Sequence, residues 1–405
     1  MSKLEELIQR YCPDGVEWST IGDVCQKVFA GGTPTSSNSS YYGGDIPWLR
    51  SGEVNFNEIT STEKTITEEG YNSSSARWVE SRSVLVAMTG ATVARSAITL
   101  IELTANQSVC ALIPKRDILN YRYLFYWISK SYIQMKGMAQ GALTSLNLNL
   151  IKSLEIPIPP LPVQEEIVRV LDTFTELQAE LQAELQKRLQ QYNYYRDNLL
   201  SFEGRTDVKW KKLGDVADLL SGFPFDSTQF TNTGIRLMRG MNIKRGQLCF
   251  NEKDDRYWKS EEGLEKYIVQ ENDIVISMDG SLVGRSFGMV KKEDLPLLLV
   301  QRVARVRSSV FNINYIYHCI NNWFPDYVDK KKTKGAIPHI SMKDISNFPI
   351  PSPSLEEQEK IVSILDRFEA LTNDLSAGLP AEIEKRRQQY EFYRDKLLTF
   401  KRKEA

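Results

Sequence analysis

Apolar residues recur at steps of three and four through residues 163–202, at Ile167, Val170, Leu171, Phe174, Leu177, Leu181, Leu185, Leu189, Tyr192, Tyr195 and Leu199. No Gly or Pro interrupts the run. Such steps put these side chains on one stripe of a helix, close to a coiled-coil seam. At about 1.5 Å per residue the helix spans roughly 60 Å. Pro157, Pro159, Pro160 and Pro162 fix its entry. A second stripe runs through Ile361, Leu365, Phe368, Leu371, Leu375, Tyr390, Tyr393 and Leu397. Gly378 and Pro380 should break or kink the helix between its two parts. The pattern predicts an antiparallel pair that buries the two stripes on each other. The alternative is that each stripe packs on its own domain.

Elsewhere the period changes. SVLVAM (83–88) and DIVISM (273–278) read as buried strands, each followed by a turn at Gly90 or Gly280. LFYWISKSYI (124–133) and YIYHCINNWF (315–324) read as helices. Residues 16–150 and 208–345 are therefore expected to be α+β domains with irregular sheets.

The chain is duplicated. IPIPPLPVQEEIVRVLDTF (156–174) returns as IPSPSLEEQEKIVSILDRF (350–368), and QQYNYYRDNLLSF (190–202) returns as QQYEFYRDKLLTF (388–400). The globular parts echo more faintly: VEWSTIGDV (16–24) matches VKWKKLGDV (208–216), and MTGATVARS (88–96) matches MDGSLVGRS (278–286). Each copy is a domain plus a helical tail, a far longer unit than a solenoid repeat. Near-identical tails imply one shared task, and divergent domains imply two different ones. By the same shift, Leu7 and Ile8 of LEELIQR (4–10) fall on Leu199 and Leu200, so the N-terminal helix is expected to complete the junction opposite the first tail.

Composition narrows the function. A chain of 405 residues with 41% hydrophobic and 25% charged residues suits a soluble protein of two or more domains. No apolar run is long enough for a membrane helix, and MSKLEELIQR has no signal-peptide core. Five scattered cysteines without CxxC spacing argue against zinc and disulfides, and a reducing cytoplasm is expected. The net charge of −1 hides an asymmetry: residues 204–350 carry 23 Lys+Arg against 18 Asp+Glu, whereas residues 151–203 carry 5 against 9. A polyanion should favour the former segment.

Candidate DNA-facing groups follow from that bias. The first half offers the polar loop GGTPTSSNSSYYGG (31–44), then Arg50, Ser51, Asn55 and Asn57 in WLRSGEVNFN (48–57). The second half offers Arg236, Arg239, Asn242, Lys244 and Arg245, and a lysine cluster, Lys330, Lys331, Lys332 and Lys334, expected on one loop. Arg and Asn can pair two hydrogen bonds to a base edge, and clustered Lys suits phosphates. The competing reading is a solvated charged surface. Catalytic patterns are missing: there is no GxxxxGK[ST], GxGxxG, NPP[FY] or DPP[FY]. His318 reads as a core residue and His339 as a loop residue. In PDYVDKK (325–331) the gap is too short for the turn a PD…D/ExK nuclease needs. Recognition and scaffolding are favoured over an unrecognised enzyme or an adaptor with no nucleic-acid role.

Taken together, IPIPPLPVQEEIV (156–168), PSLEEQEKIV (353–362), the YYRD and FYRD runs (194–197 and 392–395), GLPAEIEKRR (378–387), CPDGVEW (12–18), GGDIPW (43–48) and KGAIPHISMKDI (334–345) resemble the specificity subunit of type I restriction–modification enzymes over nearly the whole chain. The resemblance implies a first target-recognition domain (1–155), a first conserved helical spacer (156–203), a second target-recognition domain (204–349) and a second spacer (350–405). The spacers would form an antiparallel coiled coil, and each domain would read half of a split double-stranded DNA site. Implied partners are two modification subunits, which carry the methyltransferase and bind S-adenosylmethionine, and restriction subunits, which use ATP and Mg2+. The chain itself would bind no cofactor or metal, catalyse nothing and contact no membrane. LQAELQAELQ (177–186) would act as a ruler in four-residue steps, each about 6 Å of helix against about 3.4 Å per base pair.

Overall fold

A computed structural model of the chain describes residues 3–139, 145–333, 337–373 and 378–404. The chain divides into two compact units, residues 1–182 with 383–405 and residues 183–382.

The first unit opens with helix α1 (Lys3–Tyr11) and contains two main sheets. The five-stranded sheet runs in the order Cys25–Ala30, Val109–Pro114, Ser83–Ala87, Ser96–Thr99, Asn57–Ile59. The four-stranded sheet runs Thr65–Ile66, Tyr42–Leu49, Leu103–Ala105, Trp78–Val79. Successive strand residues point to opposite faces, so a strand covered on both faces reads as one apolar run. Ser83–Ala87 is such a strand, buried throughout. Val84 and Val86 pack with Ile98, Leu112 and helix α2 (Tyr121–Lys130), while Leu85 and Ala87 pack with Leu49, Val109 and Ala111. Burying one such side chain stabilises the fold by about 1.5–3 kcal/mol.

The second unit repeats this plan. One four-stranded sheet runs Asp218–Ser221, Val303–Arg307, Ile274–Ser277, Phe287–Met289, and the other runs Tyr257–Trp258, Ile235–Met238, Leu297–Leu299, Ile268–Val269. Ile274 and Ile276 face one cluster and Val275 the other.

Helix α3 (Leu161–Leu200) is continuous over 40 residues. Helix α4 (Ile313–Lys331) is the counterpart of α2, and the second tail forms α5 (Leu355–Asn373) and α6 (Leu379–Leu397). Gly378 lies outside both helices, whereas Pro380, expected to break the helix, sits at the second position of α6, where a missing N–H costs little; residues 374–377, with Leu375 of the second stripe, lie outside the described residues. Phe174 stacks on Tyr393 in the first unit, and Tyr195 stacks on Phe368 in the second, both with centroids 5.3 Å apart. The earlier residue of α3 takes the later partner, the order of an antiparallel pairing. The division between units falls at 182/183, inside LQAELQAELQ.

Both units use the same joint between domain and helix. Gln164 and Gln358 are buried. The Gln164 amide donates to the Pro159 carbonyl at 2.7 Å and accepts from the Asn120 N–H at 2.8 Å. Gln358 donates to the Pro353 carbonyl at 3.1 Å and accepts from the Asn312 N–H at 3.0 Å. Asn120 and Asn312 are the N-caps of α2 and α4. Tyr123 and Tyr315 donate to the carbonyls of Pro157 and Pro351 at 3.0 and 3.2 Å.

The C-terminal residues complete the first unit. Val16 donates its N–H to the Lys401 carbonyl and accepts from the Lys403 N–H, both at 2.9 Å. Gly15 has φ +100°, and a Cβ there would lie 2.6 Å from the Lys401 oxygen, so only glycine fits. Leu7 and Ile8 of α1 pack in the same core as Leu397 and Leu398, whereas Leu199 and Leu200 pack in the second core. Among the described residues no helix is long and apolar enough to cross a membrane.

Candidate nucleic-acid interface

Each unit has a tight turn at the end of an inner strand. After Tyr42–Leu49, the Arg50 N–H donates to Glu53 Oε1 at 2.9 Å and closes one helical turn. After Ile235–Met238, the Arg239 N–H donates to Asn242 Oδ1 at 3.1 Å and does the same. Arg50 and Arg239 therefore occupy one position of the repeat, a correspondence hidden in sequence because the flanking residues differ.

A second loop stands beside each turn. Thr92 donates its hydroxyl to the Ser51 carbonyl at 2.7 Å, and Arg95 Nη1 donates to Asn55 Oδ1 at 2.7 Å. In the second unit Gly240 lies against Ser277, where a Cβ would come within 2.8 Å of the hydroxyl. The loop MTGATVARS thus belongs to the candidate surface with Arg95, a member that sequence reasoning missed, whereas its counterpart Arg285 binds Asp329 at the end of α4. The signal for Arg95 was the matched Arg-Ser that ends both runs.

The predicted residues differ in what they can offer. Arg50 is ion-paired with Glu63 and lies 3.9 Å from Glu53, with its side chain 39% exposed. Ser51 contributes through its carbonyl, and Asn55 is exposed. Arg236 stacks over Phe250 at 4.6 Å and approaches the buried carboxylate of Asp255 at 3.3 Å, so it braces the domain. Arg239 Nη1 donates to the Asp254 carbonyl at 3.1 Å. Asn242 is 2% exposed, with its amide nitrogen on the Cys249 carbonyl (3.2 Å) and Asp255 Oδ1 (3.3 Å). That amide is used inside the fold and does not reach a base. Lys244 and Arg245 are exposed on the hairpin Ile243–Lys244/Gln247–Leu248, and among the described residues neither side chain has an ion pair.

The lysine cluster corrects an expectation. Lys330 and Lys331 form the last turn of α4 rather than a loop, and Lys332 caps it. The helix runs through Pro325 because Phe324 and Val328 on either side are buried, and tertiary burial outweighs the lost N–H. Helix C-termini favour cations, and Lys332 also bonds Asp329 at 2.7 Å. Arg285 binds the same carboxylate at 2.7 Å. Arg285 and then Lys332 hold the Asp329 carboxyl well below the usual range. Lys334 lies outside the described residues. The glycine-rich loop has a structural cause: Cβ atoms at Gly31 and Gly32 would sit 2.0 Å from the Ala105 oxygen and 2.3 Å from the Ala76 nitrogen. His318 is buried in α4, and His339 lies outside any helix, with Nδ1 2.9 Å from the Thr333 hydroxyl.

Paired α+β units on long shared helices, each with arginine turns at a strand end, define a duplicated recognition fold. Solved structures share it. One, from work on complex assembly and conformational transition of the type I R-M system, aligns with a TM-score of 0.61 at 18% identity, covering 95% of this chain and 98% of that one. The type I restriction–modification S subunit from M. genitalium aligns with a TM-score of 0.59 at 14% identity, covering 95% and 96%. Residues 13–191 and 206–385 each match the type I restriction modification DNA specificity domain. The specificity subunit of the type I restriction enzyme EcoR124I/EcoR124II of Escherichia coli is 32% identical over 300 residues, covering 70% of this chain and 72% of that one. The chain belongs to the family of type I restriction–modification DNA specificity subunits.

Proposed function

We propose that each unit reads one half of a split, asymmetric double-stranded DNA site, and that α3, α5 and α6 set the gap and dock two modification subunits. The chain itself is non-catalytic in this reading. Modification subunits supply adenine methylation and bind S-adenosylmethionine, and restriction subunits use ATP and Mg2+ to cleave. The observation that carries the reading is the duplicated arginine turn. Arg50–Glu53 and Arg239–Asn242 share one hydrogen bond, from the arginine N–H to the side-chain oxygen three residues on, but enclose unlike residues, Ser51–Gly52 against Gly240–Met241. A shared frame with different side chains suits two unlike half-sites. An arginine bidentate to guanine discriminates by about 1–3 kcal/mol. The exposed Lys244, Arg245, Lys330 and Lys331 suit phosphates.

The test is single-molecule methylation sequencing of cells that carry this chain with its modification subunits, against cells lacking the chain alone. A split adenine motif that disappears with the chain is expected. An unchanged methylome in an active system would overturn the reading. Deleting Leu177–Glu180 removes about 6 Å of helix and is expected to shorten the unread gap by about one or two base pairs. The same half-sites with an unchanged gap would exclude the ruler.

A further inference from the structure

The joints that start alike at Gln164 and Gln358 diverge about two turns further along the helices. In the first unit, Tyr126 Oη donates to Asp172 Oδ1 at 2.5 Å and Arg122 Nη1 donates to the same oxygen at 2.9 Å. Arg122 also pairs with Glu58, so every charge there has a partner. Tyr123 and Tyr315 make matching bonds, which sets Arg122 and Tyr126 against Asn314 and His318. The tail repeat sets Asp172 and Thr175 against Asp366 and Glu369. The second unit has thus lost the arginine and gained an imidazole and a second carboxylate.

These groups converge. His318 Nε2 lies 2.7 Å from Asp366 Oδ1, and Asn314 Nδ2 reaches Asp366 Oδ2 only at 3.4 Å. Ligand atoms of His318, Asp366 and Glu369 all lie within 4.8 Å of one another. Among the described residues, neither Asp366 nor Glu369 has an ion pair with Lys or Arg. His318 is 1% exposed, and among the described residues its Nδ1 has no hydrogen-bond partner. Two carboxylates and a buried imidazole thus stand together where the first unit has an arginine. A tetrahedral ion at about 2.1 Å from its ligands holds them about 3.4 Å apart, within the 4.8 Å that already spans these three ligand atoms.

We propose that His318, Asp366 and Glu369 bind one divalent transition-metal ion of the zinc type, which ties α4 to α5 where the first unit uses Arg122. Imidazole nitrogen with carboxylate oxygen suits such ions better than Mg2+ or Ca2+, which prefer oxygen alone. Three protein ligands leave a fourth position for water.

The test is Co2+ titration of the purified, chelator-stripped chain, read by visible absorption and by the thermal midpoint. One Co2+ per chain is expected, with the intense bands of a four- or five-coordinate site, a raised midpoint and displacement by Zn2+. His318→Tyr installs the residue that the first unit carries at this position, so the chain should fold and lose the bands. Glu369→Gln, a nearly isosteric change, should weaken uptake by about tenfold or more. Failure of the parent chain to bind Co2+, or undiminished binding by folded His318→Tyr, would overturn the site and leave an imidazole–carboxylate pair in its place.

Discussion

The two domain–helix joints share their central side chain–backbone bonds and differ where side chains meet each other, although Gln164 also donates to the Ile118 carbonyl at 2.8 Å. Gln164 and Gln358 satisfy the same two backbone groups, a helix-start N–H and a proline carbonyl. Those partners cannot change with sequence, so the glutamine is dictated twice. About two turns away, Arg122, Tyr126 and Asp172 of the first unit correspond to Asn314, His318 and Asp366 of the second, and only the aspartate is common to both. Duplication therefore preserves the contacts that orient a domain on its helix and releases those that only fill the joint.

The largest expected effect tests the shared part. Gln164→Leu orphans three backbone groups, the Asn120 N–H and the Pro159 and Ile118 carbonyls, and Gln358→Leu orphans two, at about 1–3 kcal/mol per group. Gln358→Leu should lower the unfolding free energy by about 3 kcal/mol and Gln164→Leu by at least as much, measured by urea denaturation of the chain. Similar losses in both would confirm equivalent joints, whereas a near-neutral result in one would break the comparison.

Arginine turns come next. Arg50→Ala should weaken binding to a cognate duplex by about 1–3 kcal/mol and relax one half-site, and Arg239→Ala should relax the other. Binding to duplexes mutated in one half-site separates the two. Loss of the same half-site in both variants would show that the turns are not parallel readers.

A smaller difference concerns acid. In the first unit Glu166 is buried between Arg169 and Lys3, with contacts of 2.6 and 2.8 Å. The hydrogen bond from Arg169, and then Lys3, bring its carboxyl down from 4.5 to about 2. A lowered folded-state pKa means this contribution is complete above about pH 4.5 and is lost as pH falls toward about 2. The tail repeat places Lys360 at this position, paired with exposed Glu356. Glu166→Gln should flatten the pH dependence of unfolding in that window. An unaltered profile would locate the acid-sensitive contacts elsewhere.

Much of this was legible because it is periodic. Strands 83–87 and 274–277 announce themselves as apolar runs, since sheets with both faces covered leave no polar position. The tails show their seam and their break at Gly378. Side-chain fates were not legible, because they depend on residues distant in sequence. Arg50 meets Glu63 only when the turn folds back, and Asn242 is consumed by Cys249 and Asp255. The helix read at 315–324 extends beyond that run, because burial of Phe324 and Val328 carries α4 through Pro325 to Lys331. His318 was legible as buried, but its carboxylate neighbours lie on another helix.

The smallest expected effect distinguishes free cations from braces within the second unit. Lys244 and Arg245 are exposed at a hairpin, whereas Arg236 is bound to Asp255 and Phe250. If the hairpin meets phosphates, Lys244→Ala should lower affinity equally for cognate and non-cognate duplexes and reduce the salt slope by about 0.9. Its unfolding free energy should stay within about 0.5 kcal/mol of the parent chain, as for other exposed positions. Arg236→Ala should do the reverse, because it strands the buried Asp255 carboxylate and leaves the phosphate count alone. A salt slope that responds to Arg236 and ignores Lys244 would move the DNA path from the hairpin to the strand beneath it.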